Sequence, residues 1–83
     1  MKILKFYATW CAPCKALSAT INSIKDEITI EIEEIDSDEN MDMARKYNVR
    51  SLPTMIMVDG DKEIKRQAGL MSADQLREFV TAV

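Results

Sequence analysis

A pair of cysteines, placed where a strand pattern gives way to a helix pattern, constrains this chain more than any other feature. Cys11 and Cys14 follow the apolar run 3–7, and a helical repeat begins directly after them. Cys11 therefore meets the first helical turn, whose backbone N–H groups lack intrahelical acceptors and carry the positive end of the helix dipole. This environment favours a thiolate at Cys11. Because Cys14 follows one turn later, it can attack a mixed disulfide formed at Cys11, and the spacing predicts a reversible dithiol/disulfide couple.

Two structural interpretations of the cysteine pair stay open beside the redox one. The chain has two cysteines and no histidine. Half a structural zinc site would need carboxylates or a second chain, because such a site takes four ligands. Two inert, buried cysteines are the other alternative. In a reducing compartment, a lone Cys-x-x-Cys pair favours catalysis over both.

Length and charge restrict the class of protein. The 83 residues are enough for one domain, 1–83, with a small core, and 47% hydrophobic residues is ordinary for a globular chain. The net charge of −3 argues against nucleic-acid binding. No apolar run approaches a membrane span, and no charged-then-apolar leader precedes the first strand. We therefore expect a cytoplasmic monomer that binds neither nucleic acid nor membrane.

Hydrophobic periodicity predicts seven elements in the order βαβαββα. The predicted ranges are a strand at 2–8, a helix at about 12–25, a strand at about 29–35, a helix within 38–48, strands at 54–58 and about 63–68, and a last helix opened by a capping box at 72–75. Asp38 is the candidate N-cap of the second helix, and Asn48 can end it in a left-handed conformation. The residues expected to face inward from the last two helices are Met41, Ala44, Tyr47, Leu76, Phe79, Val80 and Val83.

Three separated motifs resemble the thioredoxin family. They are Trp10-Cys11-Ala12-Pro13-Cys14-Lys15 after a strand, Leu52-Pro53-Thr54 before another, and Gly69 ahead of the last helix. The resemblance covers nearly the whole chain, although the family's usual first strand and helix are absent. In that respect the chain is similar to glutaredoxins and to short archaeal and viral thioredoxin-like proteins. The resemblance implies a minimal thioredoxin-like α/β fold, with a four-stranded mixed sheet in the order two-one-three-four and helices on both faces.

The same resemblance implies a protein dithiol-disulfide oxidoreductase. Cys11 would attack the disulfide of a target protein, and Cys14 would resolve the mixed disulfide. No cofactor would be bound, and electrons would come from NADPH through a flavoenzyme of the thioredoxin reductase type. A glutaredoxin-like protein recycled by glutathione is one alternative, and a non-catalytic interaction module with this fold is another.

The resemblance also implies a substrate-binding groove beside the cysteine pair. The Leu52–Pro53 bond would be cis, and the backbone before Pro53 would pair with an extended substrate segment. Trp10 and Gly69 would flank the groove, with Ala12 and Pro13 between the cysteines. From the sequence alone, Pro53 is a strand-start proline and Trp10 is equally well a surface-capping aromatic.

Lys5 and Glu34 are an unusual pair for this family. Thioredoxins commonly bury an aspartate six residues before the leading cysteine, with a lysine on the neighbouring strand. This chain has Lys5 at the first position and Glu34 as the expected partner, so the charges are swapped. We hypothesise a partly buried pair near Cys14 in which either side chain helps to move the Cys14 proton. The alternative is that Glu34 turns outward while Lys5 extends its ammonium to solvent.

Overall fold

The computed structural model describes residues 1–81, whose elements follow the predicted order. They are the strands β1 (Lys2–Tyr7), β2 (Glu31–Asp36), β3 (Thr54–Asp59) and β4 (Lys62–Ala68), and the helices α1 (Ala12–Ser23), α2 (Met41–Lys46) and α3 (Ala73–Thr81), with a short 3₁₀ turn at Lys25–Glu27. Val83, predicted to face inward from the last helix, lies outside the described residues.

One mixed sheet of four strands carries the fold, in the order β2-β1-β3-β4. β1 pairs parallel with β2, and the connection between them contains α1. β3 runs antiparallel to both β1 and β4. The predicted strand order is confirmed, and polar β4 lies at an edge, where exposed charges are tolerated.

The two central strands are apolar on both faces because each face is covered by helices. Alternate side chains of a strand point to opposite faces, so Ile3 and Met57 enter a core under α1 and α3. Leu4 and Ile56 enter a second core that includes Tyr47, next to α2. The chain is therefore a sheet between two helical layers.

The helix ends differ from prediction at two places. α1 ends at Ser23, because the Ile24 amide bonds to the carbonyl of Ile21 and the chain tightens into the 3₁₀ turn. β2 consequently begins at Glu31, two residues later than predicted.

The predicted N-cap of α2 was wrong. Asn40 occupies that position and makes no capping hydrogen bond through its side chain. Asp38 instead lies in a turn in which its own amide donates to the carboxylate of Asp36. Met41, predicted to face inward, is 54% exposed at the start of this short helix. The helix ends at Lys46 with Tyr47 as its C-cap, and Asn48, which follows, has the expected left-handed conformation, with a φ of 55°.

Candidate functional site

The cysteine pair lies at the junction between β1 and α1. Cys11 is the N-cap of α1, Pro13 lies in the first turn, and Cys11 and Cys14 form a disulfide with their Cα atoms 5.2 Å apart. The amide of Cys14 donates to Cys11 Sγ at 3.1 Å, and the amide of Lys15 donates to the Cys11 carbonyl at 3.3 Å. When the disulfide is reduced, the Cys14 amide is positioned to stabilise negative charge on Cys11 Sγ.

The two cysteines line different cavities, although both are buried. Cys11 is 4% exposed and Cys14 is 2% exposed. Cys11 lines an open depression of about 520 Å³, which we call the front groove. Cys14 lines a second depression of about 420 Å³, the rear cavity. A group bound in the front groove would therefore lie beside Cys11, and one in the rear cavity beside Cys14.

The front groove contains most of the predicted substrate-binding residues and several that the sequence did not indicate. Its lining residues are Trp10, Cys11, Ala12, Pro13, Ser37, Ala44, Val49, Arg50, Ser51 and Leu52. The end of α2 and the loop that follows it thus form one wall, with Trp10 and the inter-cysteine dipeptide opposite. Ser37 Oγ is buried at this wall, and no protein group within residues 1–81 hydrogen-bonds to it.

Trp10 is held at the groove by a side chain from another element. The indole is 69% exposed, and its Nε1–H donates to the Asp38 carboxylate at 2.8 Å. Asp38 is therefore a partner of Trp10 rather than a helix cap. This bond fixes the orientation of a large apolar surface that stays open to a partner.

The loop before β3 has the expected cis bond between Leu52 and Pro53. Pro53 is buried, and its carbonyl accepts the amide of Gly69 at 2.8 Å. Gly69 has a φ of 86°, a conformation that favours glycine. The structure thus joins Gly69 to Pro53, but neither residue is among those that line the front groove.

The same loop is supported at its other end by Arg66 of β4. The guanidinium donates to the Tyr47 carbonyl at 2.7 Å, where α2 ends, and makes two hydrogen bonds to Glu63. Hydrogen bonding from Arg66 holds the pKa of Glu63 below its ordinary value, against a smaller effect of burial. Arg66 of β4 and Gly69, the residue directly after β4, therefore hold the two ends of the segment 47–53.

Lys5 lies beside the rear cavity and is the only charged side chain buried within residues 1–81, at 1% exposure. Its ammonium donates to Ser18 Oγ at 2.7 Å and to Glu34 Oε1 at 3.0 Å, and lies 5.3 Å from the centre of the Tyr7 ring. Glu34 is directly across from Lys5 in the β1–β2 register. The pair exists, but it is asymmetric, because the Glu34 side chain is 54% exposed.

Sequence reasoning missed Ser18 and the wall formed by Ala44 and Val49. Ser18 follows Cys14 by four residues, a spacing that places both on one helix face. That spacing was the available signal, although serine on a helix surface is common. Among residues 1–81, no group of three or more His, Cys, Asp or Glu side chains is placed to hold a metal ion. Over the same residues, no helix has both the length and the apolar character needed to cross a membrane.

Comparison with known proteins gives a consistent result. The thioredoxin family model matches residues 1–82. A thioredoxin of Chlamydia trachomatis is 32% identical over 80 residues, which cover 95% of this chain and 78% of that protein. A Mycobacterium leprae protein named bifunctional thioredoxin reductase/thioredoxin is 38% identical over 69 residues, which cover 81% of this chain and 15% of that protein. The crystal structure of Fasciola hepatica thioredoxin superposes with a TM-score of 0.83 at 32% identity, covering 95% of this chain and 76% of that one.

Proposed function

The chain belongs to the thioredoxin family and is a thiol-disulfide oxidoreductase; on that premise we propose that it reduces target proteins through the Cys11-Ala-Pro-Cys14 couple. The observation that most directly supports this proposal is the hydrogen bond from the Cys14 amide to Cys11 Sγ. Cys11 also lines the front groove. That donor favours the nucleophilic thiolate at Cys11, because a thiolate accepts it more strongly than a thiol does.

The proposed reaction begins when the Cys11 thiolate attacks one sulfur of a target disulfide. A mixed disulfide forms and the second target sulfur leaves with the electron pair. Cys14 then loses its proton and attacks Cys11 Sγ. The Cys11–Cys14 bond forms, the bond to the target breaks, and the target is released as a dithiol. Two electrons move from the protein to the target, and the redox-active disulfide is the redox group, because thioredoxins carry no bound cofactor.

We propose the front groove as the place where the target segment binds. Trp10 and Pro13 supply apolar surface, and Leu52 and Ser51 line the same groove. A target strand that pairs with their backbone would present its disulfide to Cys11. Pro53 and Gly69 enter the proposal as the bonded pair that fixes the loop, rather than as contact residues.

We propose Lys5 and Glu34 as the groups that govern the proton which Cys14 must lose. Both line the rear cavity together with Cys14. The cavity is open to solvent, so the proton has a route to water that does not cross the occupied groove. Either member of the pair would influence this step through its charge or through direct transfer.

Regeneration by a flavoenzyme that takes electrons from NADPH is part of the proposal. Its support is the Mycobacterium leprae relative, whose name joins a thioredoxin reductase to a thioredoxin in one chain. We further propose that the chain works as a monomer and a single domain, 1–83, in the reducing cytoplasm, where a Cys-x-x-Cys dithiol can be maintained.

Trapping of the mixed disulfide tests the proposed couple. In Cys14→Ser the resolving thiol is missing, so incubation with insulin should yield a covalent adduct that dithiothreitol releases. Cys11→Ser is the matched control, because it keeps one thiol but removes the nucleophile at the groove. An adduct with Cys11→Ser alone would reverse the assigned roles, and an adduct with neither variant would leave the non-catalytic module as the better account.

A redox titration followed through Trp10 fluorescence separates the proposed reductant from the glutaredoxin-like alternative. Trp10 is the single tryptophan of the chain and precedes Cys11 directly. A reversible two-electron transition near about −270 mV is expected for a thioredoxin-type reductant, and one at about −200 to −230 mV would favour the alternative. NADPH consumption with a thioredoxin reductase, compared with glutathione and its reductase, identifies the electron donor.

A further inference from the structure

The charge balance of the rear cavity is unequal. Its lining residues are Lys5, Tyr7, Ala8, Thr9, Cys14, Lys15, Ser18 and Glu34. The Lys5 ammonium is 1% exposed, whereas its only carboxylate partner among the described residues is 54% exposed. Water screens an exposed charge far more than a buried one. The field that reaches Cys14 from this pair is therefore positive.

The ammonium is fixed in that position by three different contacts. Ser18 accepts one hydrogen bond from the α1 side, Glu34 accepts another from β2, and the Tyr7 ring lies within cation–π range. Ser18 and Cys14 lie on the same face of α1, one turn apart. The positive charge thus has a fixed place beside the helix turn that carries the resolving cysteine.

We propose that Lys5 serves as a fixed positive charge that stabilises the Cys14 thiolate, and that Glu34 opposes this effect instead of acting as the base. The Cys14 proton passes to water in the open rear cavity. The thiolate then attacks Cys11 Sγ, and the electron pair of the broken bond leaves on the target sulfur, which takes its proton from water. The catalytic meaning of this inference rests on the proposed function, because it concerns the resolving step.

The two interpretations of Glu34 predict opposite outcomes for one substitution. If Glu34 were the base, Glu34→Gln would remove the proton acceptor and slow the resolving step. If Glu34 only weakens the field of Lys5, the same substitution leaves the ammonium less compensated and makes the thiolate easier to form. Glutamine keeps an oxygen that can accept the hydrogen bond from Lys5, so the geometry is retained while the charge is removed.

Several titratable groups lie around Cys14, and a titration of the Cys14 thiol must be distinguished from theirs. They are Lys5 and Tyr7 from β1, Cys11 and Lys15 from α1, and Glu34 from β2. Replacing Cys11 by serine leaves Cys14 as the only thiol. The tyrosines and lysines are the same in the Glu34 and Glu33 variants, and a Cys11→Ser/Cys14→Ser protein supplies the tyrosine background of the spectrum.

The test is the pH midpoint of Cys14 thiolate formation, followed by ultraviolet absorbance in the Cys11→Ser background. We expect Lys5→Met to raise the midpoint by about one pH unit or more. Glu34→Gln should lower it by a smaller amount, because that carboxylate is half in solvent. Glu33→Gln is the matched control: it makes the same charge change on the same strand, does not line the rear cavity, and should leave the midpoint unchanged.

An unchanged midpoint in Lys5→Met, an unchanged or raised midpoint in Glu34→Gln, or slower release of the target from the mixed disulfide by Glu34→Gln would overturn the inference. This outcome is separate from failure of the proposed function. The titration needs no target protein, whereas the function is tested by trapping with Cys14→Ser. If the mixed disulfide is trapped but the Cys14 midpoint does not shift in the variants, only the electrostatic role of Lys5 is refuted. A shifted midpoint without trapping leaves the electrostatic coupling in place and removes the proposed reductase.

Discussion

Truncation of Lys5 should reveal that its apolar stem, and not its ion pair, supports the fold. The side chain is 1% exposed, so Lys5→Ala removes three buried methylene groups together with the ammonium. At roughly 0.8 kcal/mol for each methylene, with an added penalty for the cavity, the expected loss is about 2–4 kcal/mol of unfolding free energy.

Lys5→Met distinguishes the contribution of the apolar stem to stability from that of the ammonium charge. Methionine fills nearly the same space, and it removes the cost of burying an ammonium opposite a half-hydrated carboxylate. Ser18 and Glu34 are exposed, so both can bind water when the ammonium is absent. We therefore expect Lys5→Met to lie within about 1 kcal/mol of the wild type, or to be more stable.

Urea unfolding of the oxidised proteins, followed by circular dichroism at pH 7, measures both variants. Lys2 offers a matched control, because it also bridges β1 and β2 through a carboxylate, Glu33, at 2.6 Å, but with both side chains 42% exposed. Lys2→Ala should destabilise the protein far less than Lys5→Ala, because solvent screens this exposed pair. Equal destabilisation by Lys5→Met and Lys5→Ala would refute the argument, since it would make the ion pair the stabilising element.

Three further predictions concern contacts outside the cysteine pair. Ser72→Ala removes the hydroxyl that accepts an amide of the first turn of α3 at 3.1 Å, and should lower the unfolding free energy by about 1 kcal/mol in urea. Arg66→Gln should cost about 1 kcal/mol at pH 7. Because Arg66 lowers the pKa of Glu63 from an ordinary value of 4.5, this contribution is present above that pH and is lost as the pH falls through the folded-state pKa. The difference in stability between the wild type and Arg66→Gln should therefore narrow as the pH falls below 4.5, leaving the part due to the hydrogen bond to Tyr47, and a constant difference would contradict the assignment. Asp38→Ala should change the fluorescence of Trp10 while altering the unfolding free energy by no more than about 0.5 kcal/mol, and a larger loss would mean that the exposed contact is structural.

The sheet could be predicted from the sequence because its pattern is local. Apart from Lys5 and the strand ends, β1 and β3 are apolar on both faces, which predicts that they are central, and the charged pattern of β4 predicts that it lies at an edge. The capping box at Ser72 was equally readable, because its two partners are three residues apart, and both of its hydrogen bonds are present.

The segments that connect the strands and helices could be predicted less well, because their contacts are with residues far away in the sequence. Asp38 has the composition of a helix cap, but its carboxylate binds an indole 28 residues earlier. Met41 was predicted to face inward, but it is the first residue of a six-residue helix and is exposed. The exposure of Glu34 is a further case: its parity matches that of Ile32, yet it lies near the end of an edge strand, where the side chain reaches water.

The two hydrogen bonds that hold the ends of the segment 47–53 have a mechanical consequence. Arg66 of β4 donates to the Tyr47 carbonyl at the end of α2, and the amide of Gly69, directly after β4, donates to the Pro53 carbonyl, so the segment 47–53 is held from the outer edge of the sheet. The cysteines are anchored elsewhere, at the junction of a central strand and α1. The segment meets the cysteines through Leu52, which packs against the cluster of Ala8, Cys11 and Cys14. We therefore expect residues 48–51 to be exchangeable between relatives with a change in partner choice, whereas a change at Leu52 should alter the reduction potential as well.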